Sequence, residues 1–527
     1  MNITKVSFPQ NVRKIVIINV DELTIEADAI ASLASLEKIE FINIGNFTLL
    51  PRSLARNNEL RPITIEFRIV NNLKMHPWTF AGGNSNSNIT ITDVEECHMS
   101  EQTFAPSTLF HSIELAHIPI LTIDHNAFAS NVSVQFINIV DAISVTLQSG
   151  AFAHNSSIQK VTIHKVDSLL IESGGIEADV AKLAISDVFM ATCEKNTYGD
   201  TIQSLSIVSS HIKLGKSGCI STNTGLGNLR IENSQLDHIE PFAISGILKQ
   251  VQIKDSEIGI VETGGFTLNV ANFSAERITI DEISEKALNV SASERIELIQ
   301  CKVNILRKYA FILLYPGSNN SIILEDLQTH QADPNSLRFA TGAKFIVSRL
   351  KLSISCTCDM ARILPELGLP YYRHQEHVND PKESLWSPQT HCVSNNTTPT
   401  LTEFYEKNCL GPNTKLPITT TSSSAKVRWT SGGQLPVALA NLRGTTKPPQ
   451  LRTGSSNTWV IIVGTITATL LMVLVVVALI FRSRITSMMK TRRMWSAWTQ
   501  PSCTERQTSE SSTTETSYNF RNQEQSV

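Results

Sequence analysis

The sequence predicts a solenoid, α/β or mostly β, of about 14 stacked coils with parallel strands, followed by one transmembrane helix. Three observations carry that prediction. Large apolar residues recur every 22 to 26 positions from Ile30 to Leu337. A pair of apolar residues with period two precedes most of them. After the last repeat come four cysteines and then an uncharged run, 459–481.

The repeat is plainest where "HNAFASNVS" is echoed 24 residues later by "SGAFAHNSS", with Phe128 and Phe152 in equivalent places. Stepping outward from them lands on Phe104, Phe80, Leu54 and Ile30 in one direction. In the other it lands on Ile176, Tyr198, Ile220, Phe242, Phe266, Leu288, Phe311 and Leu337. Thirteen residues before most of these anchors stands an apolar residue with an apolar partner two earlier, as in Ile39/Phe41, Ile137/Ile139 and Val251/Ile253. That alternation is the signature of a short strand with one buried face. For Phe242 and Leu288 the nearest pairs are Leu229/Ile231 and Ile278/Ile280, which lie closer, so these two units read as shorter or distorted. One strand and one anchor cannot bury an apolar face alone, so successive coils must stack, pairing strands in parallel and piling anchors into one core. Residues 1–345 are assigned to this solenoid.

The unit resembles the leucine-rich repeat. Leu36, Ile39 and Phe41 fill the first three apolar slots in one coil, and Leu248, Val251 and Ile253 fill them in another. At the slot where that family has Asn or Cys, this chain has Ile44, Val166, Ser210, Ser234 and Ser256, and only Cys301 matches. The asparagine ladder that bonds the bend is therefore missing, and a parallel β-helix of similar coil length fits the same period. "SCTCDMARILPELGLP" then begins a stretch, 346–410, similar to the cysteine-rich C-terminal cap of extracellular leucine-rich-repeat proteins. That resemblance implies pairing of Cys356 with Cys392 and of Cys358 with Cys409. The C-x-C spacing is poor for a tetrahedral zinc chelate. Cys193 and Cys219, in neighbouring coils, are candidates for a further disulfide, whereas Cys97 and Cys301 read as buried thiols.

Residues 459–481, "WVIIVGTITATLLMVLVVVALIF", are long enough to cross a hydrocarbon core of about 30 Å. Arg482, Arg484, Lys490, Arg492 and Arg493 follow, which places the C-terminus inside by the positive-inside rule. Sequons occur at Asn2, Asn46, Asn88, Asn131, Asn155, Asn272, Asn289, Asn319, Asn395 and Asn396, all ahead of that run. Together with a disulfide-bonded cap they predict an exoplasmic N-terminal part and a type I plasma-membrane topology. "MNITKVSFPQNVRKIVIINV" carries no leader, so this topology implies that a signal and an N-terminal cap precede the sequence, or that its start lies elsewhere. Residues 411–458, rich in Ser, Thr and Pro, read as a disordered stalk, and 482–527 as a disordered cytoplasmic tail too short for a catalytic domain.

A net charge of −3 without a basic stripe excludes nucleic acid as a partner. No cofactor or metal motif is present: "GLG" at 225–227 lacks the remaining glycines of a dinucleotide loop, and His374 and His377 lack metalloprotease spacing. The residue between the two apolar strand positions points outward and runs Val16, Glu40, Glu66, Thr90, Glu114, Asn138, Thr162, Ala184, Ser206, Arg230, Gln252, Thr279, Glu297 and Ile323. Glu40 and Glu66 are spaced to sit side by side, but no Lys or Arg clamp is evident beside them, and the row reads as a solvated face. Glu40, Glu66, Glu114, Arg230 and Glu297 are its candidate ligand contacts. The expectation is a non-enzymatic cell-surface receptor or adhesion protein that binds an extracellular protein through its repeats. The alternative is a membrane-tethered carbohydrate-active enzyme on a parallel β-helix, which aligned carboxylates with an aromatic platform would mark. Gly464, Thr465 and Ala468 form a small-residue face suited to homodimerisation in the bilayer.

Overall fold

The computed structural model describes residues 1–409 except 5–7, 10, 56–60, 83–86, 199–201, 315–320, 338–343, 359–389 and 395–396. These residues build a mostly-β parallel solenoid of about 13 turns. Among them the one α-helix is Leu401–Asn408, and no helix is long and apolar enough to cross a membrane; the run 459–481 lies outside them.

Each coil follows a first strand, turns at a residue in the left-handed region, follows a second strand, turns again and passes its anchor. The first strands stack in register, with Ile17, Phe41, Phe67, Ile91 and Leu115 directly above one another, and the column continues through Ile253, Ala275, Leu298 and Leu324. Both corners are columns of positive-φ residues. The first runs from Asn19 and Asn43 through Asp93, Asp141 and Asn233 to Asp326, types that tolerate this conformation best after glycine. At the second, each amide donates to the carbonyl of the equivalent residue one coil on, as in Asp28 to Arg52, Gln102 to Asn126, Gly150 to Gly174 and Tyr309 to Asn335. The solenoid therefore bonds its bend with its own backbone.

Two sequence expectations are corrected by this register. Phe242 is no anchor: it occupies the second corner at φ 60°, 55% exposed, and Ile244 stands between Ile220 and Phe266 in the anchor column. In the coil before Leu288 the buried strand pair is Phe273/Ala275, while Ile278 and Ile280 lie past the Arg277 corner. With these residues, 244 − 231 and 288 − 275 both give the regular 13, so neither unit is shortened. Ser274, not Thr279, is accordingly the outward residue of that coil.

The core is one large continuous cluster, beside which Ala55, Ala81 and Ala105 form a small separate one. In its lower part the anchors are rings: Phe80, Phe104, Phe128 and Phe152 stack with centroids 5.1, 4.3 and 4.7 Å apart. Such contacts add about 0.5–1.5 kcal/mol per pair to the area they bury.

A seam crosses the stack between the strands Ser157–Ile171 and Asp179–Cys193. Their ladder begins at Ser157 with Asp179 and stops at Val166 with Val188; residues 167–171 and 189–193 are not paired with each other, and each segment pairs only on its other side. Below the seam, two outward residues follow the buried slot residue before the next inward one, as in Val166-Asp167-Ser168-Leu169. From Val188 upward a single outward residue follows, as in Val188-Phe189-Met190 and Ser210-His211-Ile212. An offset of one residue sets inward against outward side chains, and a parallel ladder cannot continue through it.

Above the seam the slot serines form a ladder. The amides of Val188, Ser210 and Ser234 donate to the hydroxyls of Ser210, Ser234 and Ser256, at 3.3, 3.2 and 3.2 Å. Each hydroxyl donates in turn to the carbonyl two residues before it in its own chain, Val208, Glu232 or Lys254, at 2.7–2.8 Å. A side-chain oxygen thus takes the place of a strand carbonyl. The strands divide there: below, Lys38–Leu49 runs unbroken through Ile44, whereas above, Ser204–Val208 and His211–Gly215 are separate. The one divided coil below the seam breaks at Pro119, which has no amide to donate.

Disulfides join Cys193 to Cys219, Cys356 to Cys392 and Cys358 to Cys409. The first ties the strand just above the seam to the turn of the next coil. The other two hold the upper end, where Cys356 and Phe404 pack against the core. Phe404 is presented by the helix Leu401–Asn408, whose capping box is Thr400 and Glu403: each accepts the other's backbone amide, at 3.1 and 3.0 Å. Those bonds hold the Glu403 carboxyl below the usual carboxylate range, the Thr400 amide contributing most.

Candidate recognition groove

Glu40, Glu66, Glu114, Arg230 and Glu297 all fall in one outward column of the first strands. Of them, Glu40 and Glu66 are neighbours. They are clamped, contrary to the sequence reading. Lys38 reaches both at 2.7 Å, Lys14 reaches Glu40 at 3.0 Å and Arg68 pairs with Glu66. The clamp residues lie two positions away along the strand or one coil below, and one coil's spacing is invisible in a linear scan. Burial pushes the Glu40 carboxyl up, but the hydrogen bonds from Lys38 and Lys14 outweigh it and leave the pKa lowered. Those to Glu40 and Glu66 raise that of Lys38. Arg230 pairs with Glu232 and Glu297 with Arg295 within their own strands. Four of the five are therefore held in ion pairs, and Glu114, exposed, is the one with no ion pair among the described residues.

The concave feature lies at the first corner and crosses the seam. A groove of about 530 Å³ is lined by His117, Pro119, Asp141, Ile143, Lys165, Asp167 and Asp187 around a floor of Ala142. It adjoins a second hollow of about 430 Å³ that shares Asp167 and Asp187 and continues to Phe189, His211 and Gln235. Ala142 is the smallest apolar residue in a column that also holds Ile44, Val70, Val94 and Val166, which leaves the floor low. Left-handed corners place Asp141, Lys165 and Asp187 on the rim. His117 stands between Asp93 at 3.3 Å and Asp141 at 3.6 Å, and His164 meets Asp187 at 3.1 Å. Two apolar side chains are presented to solvent here, Ile143 at 60% and Phe189 at 36% exposure, the latter with the His211 ring edge-on at 5.2 Å. The sequence reading passed over these residues because they belong to the corner and the strand after it, not to the strand whose alternation is legible.

Among the described residues no group of three or more His, Cys, Asp or Glu side chains could hold a metal ion. Cys97 and Cys301 are buried thiols whose pKa burial pushes up to about 12, which keeps them protonated and unreactive. Asn131 and Asn155 sit in equivalent left-handed turns, exposed, as are Asn2 and Asn46. Asn88, Asn272 and Asn289 are half-buried, with Asn88 accepting from Ser112 and Asn272 donating to Glu294. None of these seven lines the groove. Asn319, Asn395, Asn396, His374, His377 and the segment 411–527 lie outside the described residues. No protein-family model matches the chain, and no curated protein matches it.

Proposed function

We propose that the chain is a single-pass type I plasma-membrane protein of the leucine-rich-repeat receptor or adhesion kind, and that it binds an extracellular protein through the outer surface of its solenoid. The observation that carries this reading is the contrast in its cavities. The internal voids near Phe266 and Phe8 measure about 20 and 10 Å³, room for little more than one water, whereas the groove from His117 to Gln235 is long, shallow and open. A surface of that shape suits a macromolecular partner better than enclosure of a small substrate. The sequons ahead of residue 459 and three disulfides support an extracellular setting. The segment 459–481 anchors the protein, and its Gly464/Ala468 face offers a route to homodimers, so that recognition outside clusters the tails inside.

A second reading, a carbohydrate-active enzyme, draws on Asp141, Asp167 and Asp187 beside Phe189. Cells expressing the full chain with a tag at each end separate the two. In intact cells the N-terminal tag is expected to be accessible and the C-terminal tag not, and the cells should adhere to a protein-coated or cellular surface. Release of reducing ends from polysaccharide without adhesion would overturn the recognition reading in favour of the enzyme.

A further inference from the structure

We infer that the groove at the first corner takes a basic polypeptide segment in the polyproline-II conformation that lies along the solenoid axis, with two cationic side chains three residues apart and an apolar residue between them. This rests on the recognition reading and names the chemistry of its partner. Three features of the groove converge on such an occupant.

The first is charge. The rim carries three carboxylates, Asp141, Asp167 and Asp187, against the single cation Lys165. Lys165 lies in register between Asp141 and Asp187 yet makes no ion pair with either, and the side chains that do reach them are the imidazoles of His117 and His164. Asp167, exposed, likewise has no cation within salt-bridge distance among the described residues, in contrast to Glu40 and Glu66, which are clamped. The second is spacing. Asp141 and Asp187 are two coils apart, roughly 10 Å at ~4.8 Å per paired strand, and one turn of a polyproline-II segment, three residues, spans ~9 Å and returns both side chains to the same face. The third is apolar surface. Ile143 and Phe189 flank Asp167 in the adjacent column and are exposed, so a partner side chain lying between the two cations has something to cover. A bare anion would meet repulsion here, and a small apolar ligand would leave the carboxylates desolvated.

The test uses the full chain and a labelled peptide, Gly-Gly-Arg-Leu-Gly-Arg-Gly-Gly, followed by fluorescence anisotropy. The peptide is expected to bind, to weaken as salt is raised, and to bind about tenfold more weakly to Asp167→Asn and to the double variant Asp141→Asn/Asp187→Asn. Lys165→Glu is expected to tighten binding, a gain that misfolding cannot produce. No binding, equal binding of the Glu-for-Arg peptide, or no change in these variants would overturn the inference. Equal binding of a peptide with adjacent arginines would overturn its spacing. Cells that adhere normally with Asp167→Asn while the peptide fails would leave the recognition reading standing and remove this one. Peptide binding without adhesion would do the reverse.

Discussion

Below the seam the coils are held by stacked aromatic anchors and by strands that run unbroken past an apolar residue, as at Ile44 and Val166; above it, from Ser210 upward, the strands divide and serine hydroxyls bond the bend. Both halves share the first-strand ladder, the left-handed corners and one core. The difference shows that one coil geometry tolerates two solutions to the same requirement, that every buried backbone group find a partner. The two cannot be joined without a defect. The one-residue offset between them opens the second-strand ladder at 167–171, and the groove crosses that opening.

The largest effect that would test this contrast is expected in the ring stack. Phe128→Ala should cost about 3–5 kcal/mol in denaturant unfolding, since it leaves a cavity between Phe104 and Phe152. Phe242→Ala, which removes an equal ring from an exposed corner, should stay within about 0.5 kcal/mol. Similar losses in both would break the assignment of Ile244 as the anchor.

Next in size is the serine ladder. Ser234→Ala strands the Ser210 amide in the core and should cost about 1–3 kcal/mol. Hydrogen exchange should show the Ser210 amide, in particular, losing protection. Unchanged exchange would mean that the hydroxyl contributes nothing to the divided coils.

The smallest effect is electrostatic and belongs to the lower half. The Glu40 pKa is lowered in the folded state, so its contribution is present above the ordinary carboxylate pKa and is lost as pH falls through the folded value. Glu40→Gln should therefore lower the unfolding midpoint at about pH 6 but make little difference once acid has protonated the carboxylate in the folded state, with a stability gap of at most ~1 kcal/mol because Lys14 and Lys38 are partly solvated. A gap that persists at acid pH would show that packing rather than charge is responsible.

The period of the coil and the inward strand residues were legible because they obey simple spacing: an apolar anchor such as Phe104, Phe128 or Phe152 every 24 residues and an alternating pair 13 earlier. Where composition misled, the cause was local. Phe242 is large and apolar but lies two residues before the anchor column, and Ala275 is inward but too small to stand out from Ile278 and Ile280. The left-handed corners leave only a weak trace, since Ile69, Trp78 and Phe242 occupy them beside Asn and Asp.

By itself, then, the sequence determined that the described chain stacks into a parallel solenoid, because burying a repeated apolar pattern requires a neighbour with the same pattern. Only the tertiary structure decided which charges meet, as Lys38 does with Glu40 and Glu66, and which stay open, as at Asp167. It also decided where the ladder breaks. Those outcomes depend on contacts between residues about 24 apart, and a shift of one residue between coils, which changes little in a linear pattern, turns a side chain from the core to solvent.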